Sequence, residues 1–191
     1  LIALFSSLNA QWGAALDVQS GYASNIFSNY RQLPDYYNFL QGSANYDALF
    51  ETQGLRLFYQ GNATLFETYD YRSYQLHKAG LVYYNYFSQH GNKLSAGADM
   101  RTRQHGEEYR WYEYNQAYLY ANVKLLLQSQ LFMYMGANLQ ARNYAELSPY
   151  SYWQNMLYLR LSQFFNSGTS VIAEFDLMQK QYLNSETTSP L

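Results

Sequence analysis

The candidate catalytic residues of this chain are few, because it contains three histidines and no cysteine. A hydrolytic site needs a base within hydrogen-bond reach of a nucleophile or a carboxylate. His105 is followed by Gly-Glu-Glu at 106–108, which is the one place where a histidine and carboxylates are close along the chain. His77 falls in a predicted strand and His90 in a predicted short turn, without a partner at a useful spacing. We therefore expect no catalytic residue and no enzyme, with a hydrolase centred on His105 as the least favoured alternative.

Metal, cofactor and nucleic-acid sites are not indicated either. No pair of histidines has the spacing of zinc ligands, and no glycine-rich phosphate loop follows a strand. The 12 Lys and Arg are outnumbered by 14 Asp and Glu, and the net charge is -2. Since the sequence has no basic stripe that could neutralise phosphates, a nucleic-acid partner is not expected. We predict no metal and no cofactor.

The composition narrows the class of protein. Charged residues make up only 14% of the 191 residues, whereas ordinary soluble domains carry about 25%. Aromatic residues reach 19%, and 23 of them are tyrosines. The mean hydropathy is -0.43 and no apolar run exceeds five residues, although a transmembrane helix needs roughly 18 or more. A helical membrane protein is therefore excluded, and the length suits a single domain.

The clearest signal is an alternation of apolar and polar residues with a period of two, which indicates strands rather than helices. In the segment 131–142 every odd position is apolar, from Leu131 to Ala141, while the even positions include Gln140 and Arg142. In the segment 75–87 the alternation of apolar and polar residues is ambiguous. Clear alternation is also present in the segments 55–65, 94–101, 117–125 and 171–180.

Breaks at polar clusters divide the chain into nine predicted strands, at 13–23, 44–52, 54–66, 74–87, 93–103, 114–127, 130–144, 153–163 and 169–182. Short turns alternate with long loops at 24–43, 67–73, 104–113 and 145–152. Short turns on one rim and long loops on the other are typical of transmembrane β-barrels. We therefore predict an all-β fold, an antiparallel up-and-down transmembrane β-barrel with nine strands here. Ten or more strands are expected in the complete protein, because bacterial barrels usually have an even number.

Both ends of the chain are predicted to be incomplete. Residues 1–10 read like the second half of a secretory signal peptide with cleavage after Ala10, which predicts export. The alternative is that 1–8 is a short buried strand or helix. Residues 11–191 form one predicted barrel domain, and its polar end at 184–191 indicates truncation at the C-terminus.

Aromatic residues fall at the predicted strand ends, where amphipathic rings would lie at the two membrane interfaces. The alternative is that they cap a soluble core, since tyrosine and tryptophan favour strands in general. The residues predicted to lie at the interface are Trp12, Tyr22, Tyr112, Tyr114, Tyr144, Tyr152, Trp153 and Tyr182, with Tyr46 and Tyr150 in similar positions.

The segment 21–27, Gly-Tyr-Ala-Ser-Asn-Ile-Phe, is similar to the opening strand and first loop of several porin-like barrels. Over 11–182 the pattern resembles Gram-negative outer-membrane β-barrels, in particular the broad group of β-barrel porins. The resemblance implies a place in the bacterial outer membrane, contact with its lipid and lipopolysaccharide, and the help of the barrel-assembly machinery during biogenesis. Such barrels normally end in a strand that closes on an aromatic residue, whereas Leu191 ends a polar segment, so strand number and pore size stay open.

On this interpretation the polar face lines the interior of the barrel. Charges of both signs would either pair into a plug or line a wet lumen. We predict a porin-like passive channel for small solutes. The alternatives are a structural or partner-binding barrel without an open pore and a soluble lipocalin-like barrel with its apolar face inward. Inward-facing Tyr118, Tyr120, Tyr134 and Tyr158 could stack on a flat ligand or simply fill space. The predicted lumen-lining residues are Asp47, Arg56, Asp99, Arg101, Arg103, Lys124, Arg142, Arg160, Glu174, Asp176 and Lys180.

Overall fold

The computed structural model describes residues 9–25, 33–88 and 91–183, and in these ranges it is almost entirely one β-sheet. Nine antiparallel strands follow one another in chain order from one edge of the sheet to the other. This confirms the predicted all-β, up-and-down arrangement. The strands are β1 (Asn9–Ala23), β2 (Asp35–Leu49), β3 (Gln53–Phe66), β4 (Tyr74–Tyr86), β5 (Lys93–His105), β6 (Tyr114–Gln128), β7 (Leu131–Tyr144), β8 (Tyr152–Phe164) and β9 (Ser170–Tyr182).

The predicted boundaries are wrong at β2. This strand begins at Asp35 rather than at 44, so that much of the predicted loop 24–43 is strand. The residues 36–43 carry tyrosine or other uncharged side chains on both faces, and the weak contrast between odd and even positions hid the strand. Pairing with β1 on one side and β3 on the other stabilises it. The first strand also begins earlier than predicted, at Asn9.

Some predictions concern residues outside the described ranges. These are the leader remnant up to residue 8, the polar end at 184–191, His90, and the last two residues of the porin-like segment 21–27. The predicted leader and truncation therefore stay predictions.

The sheet has two rims, named here for their connections. The short-turn rim carries the turns 50–52, 129–130 and 165–169, together with the end of β4 and the start of β5. The long-loop rim carries the connections 67–73, 106–113 and 145–151, together with the end of β1 and the start of β2. Gly91 and Gly168 have φ of 75° and 81° at the short-turn rim, a conformation that glycine adopts without strain. Three short 3-10 helices, Asp70–Arg72, Glu107–Tyr112 and Ser148–Tyr150, form part of the long loops. No helix in the described part of the chain has the length and apolar character needed to cross a membrane.

The two faces of the sheet differ in chemistry and in enclosure. The polar face carries Asp99 and Gln116, which are only 8% and 6% exposed. The opposite, apolar face carries Met100 and Leu119, which are 69% and 51% exposed. In a single-layered sheet, side chains on the concave side crowd together while those on the convex side spread apart. The exposures therefore indicate that the sheet curves around its polar face.

The sheet is open. Each of β1 and β9 pairs with one neighbour within the described residues, and they do not pair with each other. Every residue of β9 is exposed, including those on the polar face, because no residue in the described ranges covers this edge. Both edges therefore present backbone N–H and C=O groups that are free to pair.

Candidate functional site

The charged residues of the strands all lie on the polar face. If the two faces were equivalent, fifteen such residues would share one face by chance only about once in sixteen thousand sequences. The apolar face of the described strands accordingly carries no charged side chain. The polar-face residues are Asp17, Asp35, Asp47, Arg56, Lys78, Lys93, Asp99, Arg101, Arg103, Lys124, Arg142, Arg160, Glu174, Asp176 and Lys180.

This set contains all eleven residues that the sequence predicts for the lumen, and it adds four. Asp35 was missed because it falls in the predicted loop, and Lys78 because its strand alternates ambiguously. Asp17 belongs to a weakly alternating segment, and Lys93 is the first residue of its strand. The full set has nine basic and six acidic residues, so the polar face has a clear basic excess.

Three ion pairs neutralise part of this face. Arg56 Nε lies 2.6 Å from Asp47 Oδ1, joining neighbouring positions of β2 and β3. Lys78 Nζ lies 3.4 Å from Asp99 Oδ2. The third pair, between Arg160 and Glu174, has an N–O distance of 3.1 Å. Because these pairs use three of the acidic residues, the remaining charge on the polar face is predominantly basic.

Several cations that form no ion pair with a described residue lie on aromatic rings near the long-loop rim. The guanidinium of Arg103 is 4.2 Å from the ring centre of Tyr74, and the ammonium of Lys180 is 3.9 Å from that of Tyr152. Arg142 stacks on Tyr114 at 4.3 Å and donates a 2.6 Å hydrogen bond from Nη2 to Gln116 Oε1. Such contacts hold the cations against the wall of the sheet.

A second group of cations lies near the short-turn rim. Lys93 and Lys124 are direct partners in the β5–β6 register. The ammonium of Lys93 is 4.8 Å from the ring centre of Tyr84, and that of Lys124 is 5.2 Å from that of Phe132. Both lysines line a cavity of about 520 Å³, together with the polar side chains of Ser95, Tyr120, Asn122 and Tyr134.

Tyrosine rings cover glycines on the polar face. Tyr120 is the direct partner of Gly97, and two of its ring carbons and its hydroxyl oxygen lie 2.6 Å from the position that a Cβ at 97 would occupy. Tyr158 covers Gly136 in the same way across β7 and β8. These rings therefore lie along the wall rather than projecting from it. The predicted inward tyrosines all lie on this face, and they form the pairs Tyr118–Tyr120 and Tyr134–Tyr158 at centroid distances of 5.7 and 5.4 Å.

The predicted interface aromatics divide between the two faces. Trp12, Tyr22 and Trp153 lie on the apolar face, and Trp12 is 81% exposed. Trp12 contacts Tyr46, and Tyr22 contacts Tyr36, at ring distances of 4.8 and 5.1 Å. Tyr112 belongs to a 3-10 helix of a long loop. The remaining four lie on the polar face, opposite the face that carries Trp12 and Tyr22: Tyr114, Tyr144, Tyr152 and Tyr182.

The ring of His105, the histidine that is close to carboxylates along the sequence, packs against aromatic rings. It is the last residue of β5, at the long-loop rim, and its ring lies 5.6 Å from Tyr74 and 6.1 Å from Tyr109. Both ring nitrogens are buried without a hydrogen-bond partner in the described residues. Burial, reinforced by the nearby Arg103 guanidinium, lowers the pKa of His105 to about 4. Glu113 accepts a hydrogen bond from the backbone N–H of His105, not from its ring.

Asp35 organises the neighbouring loop. Its carboxylate accepts hydrogen bonds from the backbone N–H groups of Tyr36, Thr68 and Tyr69 at 2.8 to 3.1 Å, and the residue is only 3% exposed. Burial alone would raise the pKa of Asp35, but the backbone donors outweigh it and hold that pKa below its ordinary value. The carboxylate thereby fixes the 67–69 turn against the start of β2.

Within the described ranges, no three side chains of His, Asp or Glu come together as metal ligands. His77 lies on the apolar face, where its Nδ1 is 2.7 Å from the hydroxyl of Tyr59. The candidate functional site is therefore the polar face itself, with its basic excess and its tyrosine-covered wall. Searches against family models, curated proteins and solved structures found no match for the chain.

Proposed function

We propose that the chain forms the wall of a transmembrane β-barrel in the bacterial outer membrane and serves as a porin-like passive channel for small solutes. The observation that carries the proposal is the distribution of charge over the two faces. All charged strand residues lie on the more enclosed face, while the exposed face is uncharged and largely apolar. A soluble barrel, including one like a lipocalin, would have the opposite arrangement, with its apolar face enclosed.

The height of the apolar band supports a membrane span. On β7 the apolar face is continuous from Leu131 to Ala141. Ten steps of about 3.3 Å give about 33 Å along the strand, and a tilt of about 40° reduces this to about 25 Å. That is the height of the outward apolar band of outer-membrane barrels. Beyond it the same face becomes polar at Asn143, and at Thr102 and Asn115 on β5 and β6.

Aromatic pairs on the apolar face of β1 and β2 match the two membrane interfaces. Trp12 with Tyr46 lies towards the short-turn rim, and Tyr22 with Tyr36 lies at the long-loop rim. Trp12 and Tyr22 are ten residues apart, which again corresponds to about 25 Å after the same tilt. We propose that these pairs are interface anchors and contact lipid or lipopolysaccharide.

Closure of the barrel requires partners for the edges of β1 and β9. Lipid offers no hydrogen bonds, and each unpaired backbone group costs several kcal/mol there. We propose that further strands close the sheet, with the barrel-assembly machinery as the partner during biogenesis. The polar face of β9, with Glu174, Asp176 and Lys180, would then be enclosed like that of its neighbours.

An open lumen is favoured over a plugged one because two large side chains of the polar face lie along the sheet. Tyr120 and Tyr158 occupy the space above glycines instead of extending inward. The alternative, a structural or partner-binding barrel without a pore, would need additional side chains or loops to fill the centre. No catalytic role is proposed, because the ring of His105 packs among tyrosines.

Two measurements test the proposal. Outer-membrane fractions containing the full-length protein should show a band on SDS gels that changes mobility on boiling, since closed barrels resist SDS when cold. The purified barrel in a planar bilayer should give stepwise conductance. A protein recovered in the soluble fraction with no mobility shift would refute the membrane barrel. A heat-modifiable protein in a sealed bilayer without conductance would refute the channel and favour the structural alternative.

A further inference from the structure

Lys93 and Lys124 form an unusual pair on the polar face. They face each other directly across β5 and β6, and like charges directly opposite one another destabilise a sheet. Their neighbours along the same row are Tyr86 on β4 and Tyr134 on β7, neither of which is acidic. The sheet thus places the two lysines side by side without an acidic residue in the same row of the adjacent strands. The ammonium of Lys93 lies against the rings of Tyr84 and Tyr86 on β4, and that of Lys124 lies against Phe132 on β7.

Two carboxylates of the polar face are paired with other cations. Asp99 pairs with Lys78, and Glu174 pairs with Arg160. None of the described residues that line the cavity around Lys93 and Lys124 is acidic. The positive charge in this cavity is therefore not neutralised by the described part of the chain.

The cavity also offers neutral hydrogen-bond donors. Ser95, Tyr120 and Tyr134 supply hydroxyl groups and Asn122 supplies an amide, all on the wall that carries the lysines. A second cavity of about 480 Å³ adjoins it, because Lys124 and Tyr134 line both. Lysine ammonium groups beside hydroxyl and amide donors suit an oxyanion, whose oxygens accept several hydrogen bonds at once.

We propose that this cavity binds the oxyanion group of a small solute, a phosphate or a carboxylate, between Lys93 and Lys124. Resting on the proposed channel function, the site would favour the passage of anions at the short-turn rim of the lumen. Asn122 and the tyrosine hydroxyls would orient the group, while Tyr86 limits the cavity on the β4 side. The two lysines have no acidic partner among the described residues, and the anionic group of the solute would be that partner.

The binding test uses the full-length refolded barrel in detergent at low ionic strength. Calorimetric titration with inorganic phosphate, and separately with succinate, compares the wild type with the double variant Lys93→Gln/Lys124→Gln. We expect binding by the wild type and an affinity about tenfold lower or worse in the variant, because charge-assisted hydrogen bonds are lost. Binding of phosphate alone would assign the site to phosphorylated solutes, and binding of succinate alone to carboxylates.

Two control variants sharpen the result. Lys180→Gln removes one positive charge from the opposite rim of the same face, and Lys93→Arg/Lys124→Arg keeps both charges in the cavity. The inference is overturned if neither anion binds, or if Lys180→Gln weakens binding as much as the double variant does, since the effect would then be one of general charge. Each variant must retain the heat-dependent mobility shift, which shows that it has folded.

Conductance measurements test the anion site and the channel independently. In a salt gradient across a bilayer, the double variant should shift the reversal potential towards cation preference relative to the wild type. Phosphate binding without any conductance would leave the site standing and refute the channel. Conductance with an unchanged reversal potential and no anion binding would refute the site and leave the channel standing.

Discussion

Tyr158 lies directly opposite Gly136 in the β7–β8 register, and its hydroxyl is 2.5 Å from the position that a Cβ at 136 would occupy. The same Cβ would lie 2.6 Å from the backbone carbonyl oxygen of Ala121 on β6. Gly136 therefore lies between the ring of Tyr158 and the backbone of β6. Neither could approach so closely if residue 136 had a side chain. At Gly97 the three nearest atoms all belong to the side chain of Tyr120, which can move.

Alanine at these glycines should destabilise the sheet in a graded order. We expect Gly136→Ala to lower the free energy of unfolding by about 1–3 kcal/mol, because neither the backbone at 121 nor the ring can give way freely. Gly97→Ala should cost less, since Tyr120 can rotate. Gly42→Ala is the matched control, as nothing lies within 4 Å of its Cβ position. Urea unfolding of the refolded protein measures the free energy of unfolding of all three variants. Equal effects would contradict the close packing of Gly136 against Tyr158 and Ala121.

An arginine on the apolar face should distinguish a lipid-facing surface from one that faces water. Leu119 is exposed within the apolar band, and Gln104 is exposed on the same face beyond it. We expect Leu119→Arg to destabilise the membrane-inserted protein by about 2 kcal/mol or more, whereas Gln104→Arg should cost about 0–1 kcal/mol. Unfolding in lipid vesicles checks the difference. If both variants are equally well tolerated, the apolar face does not contact lipid.

The sequence predicts the strands best where the two faces differ most. In β7 the alternation of apolar and polar residues is complete, and the predicted limits 130–144 agree with Leu131–Tyr144. In β2 the faces carry Tyr36 and Asn38 against Tyr37 and Phe39, so the pattern offers no contrast and the strand start was missed. Tertiary pairing, rather than local pattern, determines that segment.

The site is less predictable than the strands, because it depends on register. The alternation within one strand places Lys124 on the polar face, but it does not reveal that Lys93 of β5 lies opposite. A shift of one residue between two strands would bring different side chains together. The tyrosines at strand ends are another example. Residue type and position predict that Tyr114 and Tyr152 lie at the membrane interface, but they do not reveal that both lie on the polar face.

Asp35 should stabilise the turn at 67–69 in a pH-dependent manner. Its pKa in the folded protein is below the unfolded value of about 3.9, so its contribution is fully present above that pH and is lost as the pH falls through the folded pKa. Asp35→Asn should remove this contribution at neutral pH, because a neutral amide oxygen accepts the three backbone hydrogen bonds less strongly. Hydrogen exchange of the amides of Thr68 and Tyr69 should accelerate in the variant. Asp70→Asn in the same loop is the control, and an equal acceleration there would contradict the role of Asp35.

His105 should make the long-loop rim sensitive to mild acid. Its ring faces Tyr74, Tyr109 and Tyr112, with Arg72, Arg103 and Glu113 as the charged groups that act on it. The pKa in the folded state is about 4, whereas that of an unperturbed histidine is about 6.5, so the unfolded loop binds the proton more readily between these values. Stability contributed by the neutral ring is therefore present above about pH 6.5 and is lost as the pH falls towards 4.

The measurement is hydrogen exchange of the 3-10 helix Glu107–Tyr112 as a function of pH, corrected for the intrinsic pH dependence of exchange. We expect protection in the wild type to fall between pH 6.5 and 4, whereas His105→Phe should keep the ring packing and remove this change. His77→Gln serves as the control, because His77 contacts Tyr59 on the apolar face and not the aromatic rings around His105. Since burial among the aromatic rings is the main cause of the depressed pKa, an unaltered pH profile in His105→Phe would mean that another group controls the loop.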